Sequence, residues 1–162
     1  LKDTLILEVR SQPGLRLRSA ALGDAQRLRL WKNANRRGFF FKGEITPEGQ
    51  LEWMRRYFER DGDYMFVVEH AGEPIGCMAF RLVDGAADVY NVILGNREFE
   101  GRGLMSAAFR EMLAFARRRA GVVGLKVLKD NPAIRFYERN GFAVNADHGD
   151  HLDMTLDWAR LE

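Results

Sequence analysis

Three segments in the middle of the chain, Tyr64–Glu69, Pro74–Leu82 and Ala87–Leu94, are rich in strand formers. The turn signals Ala71-Gly72-Glu73 and Asp84-Gly85 separate them, so they predict an antiparallel meander. The apolar period then lengthens: Met105, Phe109, Met112, Leu113 and Ala116 fall at i, i+4, i+7, i+8 and i+11, the stripe of a helix with one buried face. This helix should begin just after Gly101-Arg102-Gly103. Val122–Leu128 reads as a short buried strand, Asn131-Pro132 opens a helix that Gly141 closes, and Leu152–Trp158 reads as the last strand. Upstream, Leu5–Val9 and Leu15–Arg18 flank the turn signal Gln12-Pro13-Gly14 and read as short strands. Asp24 is placed to cap a helix running to about Asn35, with Leu28 and Trp31 on one side. Thr46-Pro47-Glu48 offers a cap, a first-turn proline and a first-turn acid for a second helix over Pro47–Arg60, which Asp61-Gly62-Asp63 stops.

A strand, a long helix and a second strand joined by short loops make a right-handed crossover with two parallel strands, here grafted onto a meander. The fold class is therefore mixed α/β. The 162 residues, 46% hydrophobic and 30% charged, suit one globular domain over the whole of 1–162, without repeats or linkers. Lysine and arginine exceed aspartate and glutamate by only 25 to 23, so the overall charge makes no case for nucleic acid or an anionic membrane as partner, although a local basic patch stays open. Cys77 is the single cysteine, which excludes an intrachain disulfide and fits a cytoplasmic setting. His70, His148 and His151 show no metal-ligand spacing with it; no metal is expected, and His148 and His151 are expected in a surface loop. No apolar run approaches the ~20 residues of a membrane helix, and no signal peptide is evident. The chain opens on Leu1 rather than methionine, which leaves a further segment upstream open.

Two motifs carry chemistry. Asn96-Arg97-Glu98-Phe99-Glu100-Gly101-Arg102-Gly103-Leu104-Met105-Ser106 lies between a strand and a helix. Its glycines let backbone N–H groups point outward, and the helix start adds roughly half a positive charge, so it can hold a pyrophosphate without metal, with Arg102 and Ser106 as further donors. An ordinary tight loop would read the same. Neither a third spaced glycine nor Gly-Lys-Ser/Thr is present, which disfavours dinucleotide and nucleoside-triphosphate folds. The second motif, Asp130-Asn131-Pro132-Ala133-Ile134-Arg135-Phe136-Tyr137-Glu138-Arg139-Asn140-Gly141-Phe142, is explained equally by helix capping and a half-buried tyrosine.

Together, a phosphate-cradling loop after one central strand and an Asn-x-x-Ala-x-x-x-Tyr-x-x-x-Gly-Phe helix after the next resemble the GCN5-related N-acetyltransferase (GNAT) superfamily, in element order from Leu15 to Trp158. The resemblance implies a mostly antiparallel sheet with one parallel pair splayed for coenzyme A, about four flanking helices, and acetyl-CoA as cosubstrate. It implies that Val92, Ile93 and Leu94 present backbone to the pantetheine arm, and that the amides of Gly101, Arg102, Gly103, Leu104, Met105 and Ser106 hold the phosphates. Asn131 and Ala133 would contact the cofactor, and Tyr137 would protonate the departing thiolate. This chain departs from the family in Glu100, an acid beside a pyrophosphate, and in Met105, a long side chain where Gly or Ala is usual.

The N-terminal half loosely resembles a subgroup that acetylates nucleotide-linked amino sugars, through Leu30-Trp31-Lys32-Asn33 and Ile45-Thr46-Pro47-Glu48-Gly49-Gln50-Leu51-Glu52-Trp53, with Gln50 where that subgroup often has histidine. Trp31, Asn33, Phe40 and Trp53 are its candidate acceptor contacts, and core packing accounts for the tryptophans as well. Ribosomal-protein N-terminal acetyltransferases and a non-catalytic acyl-CoA sensor are the alternatives, and a homodimer is compatible with each. Where the family often places a basic glutamate, this chain offers Asp88, Tyr90 and Asn91, either as a direct base or holding a relay water. That weaker arrangement suits a small-molecule amine. Deprotonating an amine of pKa near 7.8 at pH 7 requires about 1 kcal/mol, against about 4.6 for a lysine side chain.

Overall fold

The computed structural model describes residues 2–161. Its strands are β1 (Ile6–Glu8), β2 (Leu15–Ser19), β3 (Asp63–His70), β4 (Glu73–Val83), β5 (Ala86–Leu94), β6 (Val122–Leu128), β7 (Phe142–Asp147) and β8 (His151–Leu156). Its helices are α1 (Ala25–Ala34), α2 (Pro47–Glu59), α3 (Leu104–Arg117) and α4 (Ile134–Arg139). The strands form one sheet in the order β1-β2-β3-β4-β5-β6-β8-β7. Every neighbouring pair is antiparallel except β5 and β6. That exception follows from α3, which carries the chain back to the starting edge and so makes the next strand run the same way.

Each face of the sheet has its own core. On one face α3 turns its apolar stripe inward, burying Phe109, Met112, Leu113 and Ala116 against Leu17, Phe66, Met78, Phe80 and Val89, with Tyr137 and Phe142 in the same cluster. On the other, Leu28 of α1 and Met54 and Tyr57 of α2 pack on Met65, Val67, Cys77, Ala79 and Ile93. The start of α2 is fixed locally: Thr46 Oγ accepts from the Gly49 amide at 3.0 Å and Pro47 occupies the first turn. Its inner face is anchored where the Tyr57 hydroxyl accepts from the Met65 amide at 2.9 Å.

The pattern-based elements hold except in four places. Asp24 does not cap α1 with its carboxylate, which instead accepts from the Ala21 amide and pairs with Arg18 and Arg27, its acid strength raised by those partners. The fourth helix starts at Ile134 rather than at Pro132, because Asn131 Oδ1 accepts from the Ala133 amide and closes a turn ahead of the regular helix. The last strand ends at Leu156, and Trp158 lies in a short 3-10 turn. β7 escaped the apolar pattern because it is an edge strand: only Phe142 is buried, and a register shift between Val144 and Ala146 breaks the alternation.

Gly95, immediately after β5, is a point of close approach. A Cβ there would overlap the Trp31 indole, so α1 can seat its tryptophan only against a glycine. Gly95→Ala should lower stability by about 1–3 kcal/mol, the scale of overpacking. In a Trp31→Ala background the same substitution should be nearly neutral, and urea unfolding of the four proteins measures both values.

Candidate functional site

β5 and β6 pair only from Ala86 with Val122 to Val89 with Leu125. Beyond that point the strands part, and β5 has no partner on its β6 side from Tyr90 to Leu94. The parting coincides with a bulge against β4: Ala79 pairs with Tyr90 and Cys77 with Ile93, so β5 carries one extra residue there. Asn91 absorbs it at φ 50°, a left-handed conformation that asparagine tolerates better than most side chains. The Cys77 thiol donates to the Asn91 carbonyl at 3.3 Å. As a result Val92 turns to the α3 face while Tyr90 and Ile93 both turn to the α1–α2 face.

On the α3 side the parting opens a cleft of about 1000 Å³, lined among others by Val92, Ile93, Leu94, Gly101, Gly103, Leu104, Met105, Ser106, Asn131, Ala133 and Tyr137. At one end is the start of α3. Its N-cap is Gly103 at φ 73°, without a side-chain cap, and Gly101 is also left-handed at φ 75°. The first helical bond runs from the Ala107 amide to the Gly103 carbonyl at 3.1 Å, so the amides of Leu104, Met105 and Ser106 have no intrahelical acceptor. Three free amides at a positive helix end suit a pyrophosphate. Ser106 Oγ accepts from the Asn140 amide at 3.2 Å, which leaves its own hydroxyl hydrogen for another acceptor. These residues fit coenzyme A.

The two departures from the family pattern are accommodated. Glu100 pairs with Arg97 at 3.5 Å, and both side chains are exposed. Met105 lies over β4 at Gly76, where a Cβ would come 3.0 Å from both its sulfur and its methyl carbon. It therefore packs down on the sheet rather than across the phosphate approach. Tyr137 is 8% exposed, in a cage of Phe109, Phe136 and Phe142 with ring centroids 5.8–6.0 Å away. Burial raises its pKa, and no protein group among the described residues bonds its hydroxyl. The phenol is neutral and available as a proton donor. Asn131 lines the cleft, but both ends of its amide are engaged: Oδ1 accepts from Ala133 at 2.9 Å and Nδ2 donates to the Gly38 carbonyl at 2.9 Å.

The α1–α2 side holds a second cavity of about 470 Å³, floored by Leu28, Met65, Cys77 and Ile93 and walled by Lys32, Phe41, Glu44, Gln50, Trp53 and Asn91. Ile93 lines both cavities. Gln50 is 7% exposed, and its amide has no protein partner among the described residues. Lys32 Nζ donates to Asn91 Oδ1 and stands 3.9 Å from the Phe39 ring centroid. Burial lowers its pKa to about 8.

Several sequence-derived candidates fall elsewhere. Asp88 lies on the paired part of β5, opposite Arg81 and Gly124 and outside both cavities, with its pKa raised by burial. The Tyr90 hydroxyl donates to the buried Asp63 and is not free to relay a proton. Trp31 packs on Gly95, and Phe40 sits edge-on to His151 at 5.4 Å; neither lines a cavity. Asn33 ties the chain at Ile45 through two bonds of 2.8 and 3.0 Å, and its side of α1 borders the larger cleft rather than the second cavity. The Arg102 side chain covers the ring of Phe99 at 5.1 Å and does not itself line the cleft. His148, His151 and Asp153 do converge, with ligand atoms within 4.8 Å of one another, and His151 begins β8 rather than lying in a loop. One ring nitrogen of each histidine is bonded to a carboxylate, His148 Nε2 to Asp153 at 2.9 Å and His151 Nδ1 to Asp150 at 2.6 Å.

The sequence did not single out Lys32, Arg36, Arg37, Arg97 and Arg139 as site residues, though the first lines the second cavity and the arginines line the cleft. Asn140, wholly buried, bonds Ser106, Phe136 and Arg110 and fastens α4 to the start of α3. Lys32, Arg97, Arg139 and Asn140 fall inside the quoted motifs, whereas Arg36 and Arg37 lie outside them. Among the described residues no helix is long and apolar enough to cross a membrane.

The lowered pKa of Lys32 has a consequence for stability. Between pH 8 and its ordinary value of 10.5 the unfolded chain holds more protons at Lys32 than the folded one, so stability from this residue rises with pH across that window. Below pH 8 the residue is charged in both states and its unfavourable burial is constant. Urea unfolding of the protein and of Lys32→Met from pH 6.5 to 10.5 should show a difference that is flat to about pH 8 and then climbs. A difference flat throughout would contradict the shift.

A model of the acetyltransferase (GNAT) family matches residues 28–142. An uncharacterized N-acetyltransferase of Methanocaldococcus jannaschii is 32% identical over 104 residues, 56% of this chain and 46% of that protein, so the match spans about half of the relative's length. Among solved structures, a ribosomal L7/L12 alpha-N-protein acetyltransferase bound to coenzyme A superposes with a TM-score of 0.75 at 20% identity, covering 93% of this chain and 96% of the other. A nucleotide-linked sugar GNAT gives 0.75 at 16%, covering 91% and 88%. The Vibrio cholerae spermidine N-acetyltransferase, in complex with coenzyme A and spermine, gives 0.75 at 22%, covering 92% and 99%. At such identities the superpositions speak for the fold. The family match runs from α1 to the start of β7, more than half of the chain, and the chain belongs to the acetyltransferase (GNAT) family.

Proposed function

We propose that this single domain is an N-acetyltransferase that moves the acetyl group of acetyl-CoA directly onto a primary amine of a small molecule, with Tyr137 as general acid. The observation that carries the reading is the cleft opened by the parted sheet together with a second cavity on the α1–α2 face, both lined by Ile93. Acetyl-CoA supplies a thioester whose sulfur is a good leaving group. The free amides of residues 104–106 hold its phosphates, the unpaired edge of β5 at Val92, Ile93 and Leu94 bonds its amide-bearing arm, and Asn131 and Ala133 bound the opposite wall. Tyr137, neutral because it is buried, gives its proton to the departing sulfur.

The acceptor we favour is a nucleotide-linked amino sugar. The second cavity, at about 470 Å³, is of small-molecule size. Trp53 and Phe41 offer ring faces and Gln50 an unpaired amide, and Arg36 on the adjoining cleft brings positive charge for an anionic carrier.

Calorimetry should find acetyl-CoA binding where NADH and ATP do not bind; the reverse would remove the fold-based reading. Thiol release should then be followed with nucleotide-linked amino sugars, N-terminal peptides, lysine peptides and spermidine. Efficient turnover is expected with the sugars. Turnover restricted to N-terminal peptides would favour a ribosomal-protein type of acceptor, and binding without any turnover would favour a sensor. Tyr137→Phe should lower kcat by about 10²-fold while leaving acetyl-CoA affinity within a factor of two.

A further inference from the structure

Building on the acetyl-transfer reading, we propose that Lys32, held by Asn91, is the general base that takes the proton from the acceptor amine. Its Nζ stands where the two cavities join. Lys32 and Asn91 line the acceptor cavity, Phe39 beneath the ammonium lines the cofactor cleft, and Ile93 lines both. The groups expected from sequence to act as bases are placed otherwise: Asp88 lies outside both cavities and the Tyr90 hydroxyl is committed to Asp63.

Burial favours a neutral amine at Lys32, against the Asn91 oxygen and the Phe39 ring, which favour the charged form, and no carboxylate stands beside it. From β5 it meets the Asn91 carboxamide, from β4 the Cys77 thiol, whose pKa burial pushes up to about 12, and from the chain after α1 the Phe39 ring. The cavity's one carboxylate among the described residues, Glu44, is exposed and lies 3.9 Å from Arg36. No carboxylate therefore holds the proton on Lys32, and burial without a counterion releases it near pH 8. The left-handed bulge that parts the sheet also aims the Asn91 carboxamide at Nζ, so one backbone irregularity sets both the cleft and the base.

The proton and electron accounting closes. An acceptor ammonium gives one proton to neutral Lys32, which passes it to solvent. As the amine nitrogen bonds the acetyl carbon, its second proton leaves by the same route. The carbon–sulfur bond breaks with its pair on sulfur, Tyr137 protonates the sulfur, and Tyr137 regains its proton from solvent. One proton is released per turnover when the acceptor enters charged.

Lys32→Met keeps the apolar stem and removes the nitrogen. With a strongly basic primary amine, kcat/KM should fall by about 10²-fold or more. With an alkoxyamine, already neutral at pH 7, the loss should be less than about tenfold, while coenzyme A affinity stays within a factor of two. Independently of activity, NMR titration of the isotope-labelled lysine side chains should show one resonance, absent from Lys32→Met, moving near pH 8. Equal losses with both amines, or titration of that resonance near 10.5, would overturn the base while leaving the transferase reading intact. A wild-type protein that binds acetyl-CoA and acetylates no amine would overturn both.

Discussion

The parting of β5 and β6 after Val89 and Leu125 is the constraint on which the site depends. A buried strand edge without a partner is costly, because each unpaired backbone group forfeits a hydrogen bond that water or another strand would supply. Here the fold leaves residues 90–94 unpaired on one side and surrounds them with an open cleft, so an extended, amide-bearing ligand can take the place of a strand. The bulge at Asn91 sets where the pairing stops. It also turns Tyr90 and Ile93 to the same face, which brings the second cavity up to the cleft at Ile93.

Two neighbouring features preserve that opening despite residues that would work against it. Met105 would obstruct the start of α3 if its side chain extended into the cleft, but Gly76 on β4 leaves a depression beneath it. Glu100 brings negative charge to the phosphate end, and Arg97 offsets it; an exposed pair of this kind contributes under about 1 kcal/mol to stability, so its significance is local charge rather than folding. Arg36, Arg37 and Arg139 add positive charge along the same cleft, a patch that the near-neutral overall balance conceals.

The order of elements was legible because each carries its own local signal. The i, i+4, i+7, i+8 stripe of α3, the Thr46-Pro47 start of α2 and the Asp84-Gly85 turn are all short-range features. The glycine turn ahead of α3 was legible for the same reason, since free amides at a helix start follow from glycines and chain direction. The second cavity was not. Lys32 owes its lowered pKa to burial among Asn91, Phe39 and Cys77, which lie on three different segments, and no local pattern announces that convergence. Asp88 and Tyr90 were plausible as bases from their place on β5, yet one sits before the strands part and the other is bound to Asp63, both consequences of sheet register. The aromatic run Phe39-Phe40-Phe41 divides three ways: Phe39 to the cleft, Phe41 to the acceptor cavity and Phe40 to His151.

The central claim, that a ligand completes the parted sheet, is tested most directly by amide hydrogen exchange with and without acetyl-CoA. The account predicts that the ligand slows exchange at Val92, Leu94 and residues 101–106, while the already paired amides of residues 86–89 change little. Protection confined to other parts of the chain, with those amides unaffected, would contradict it.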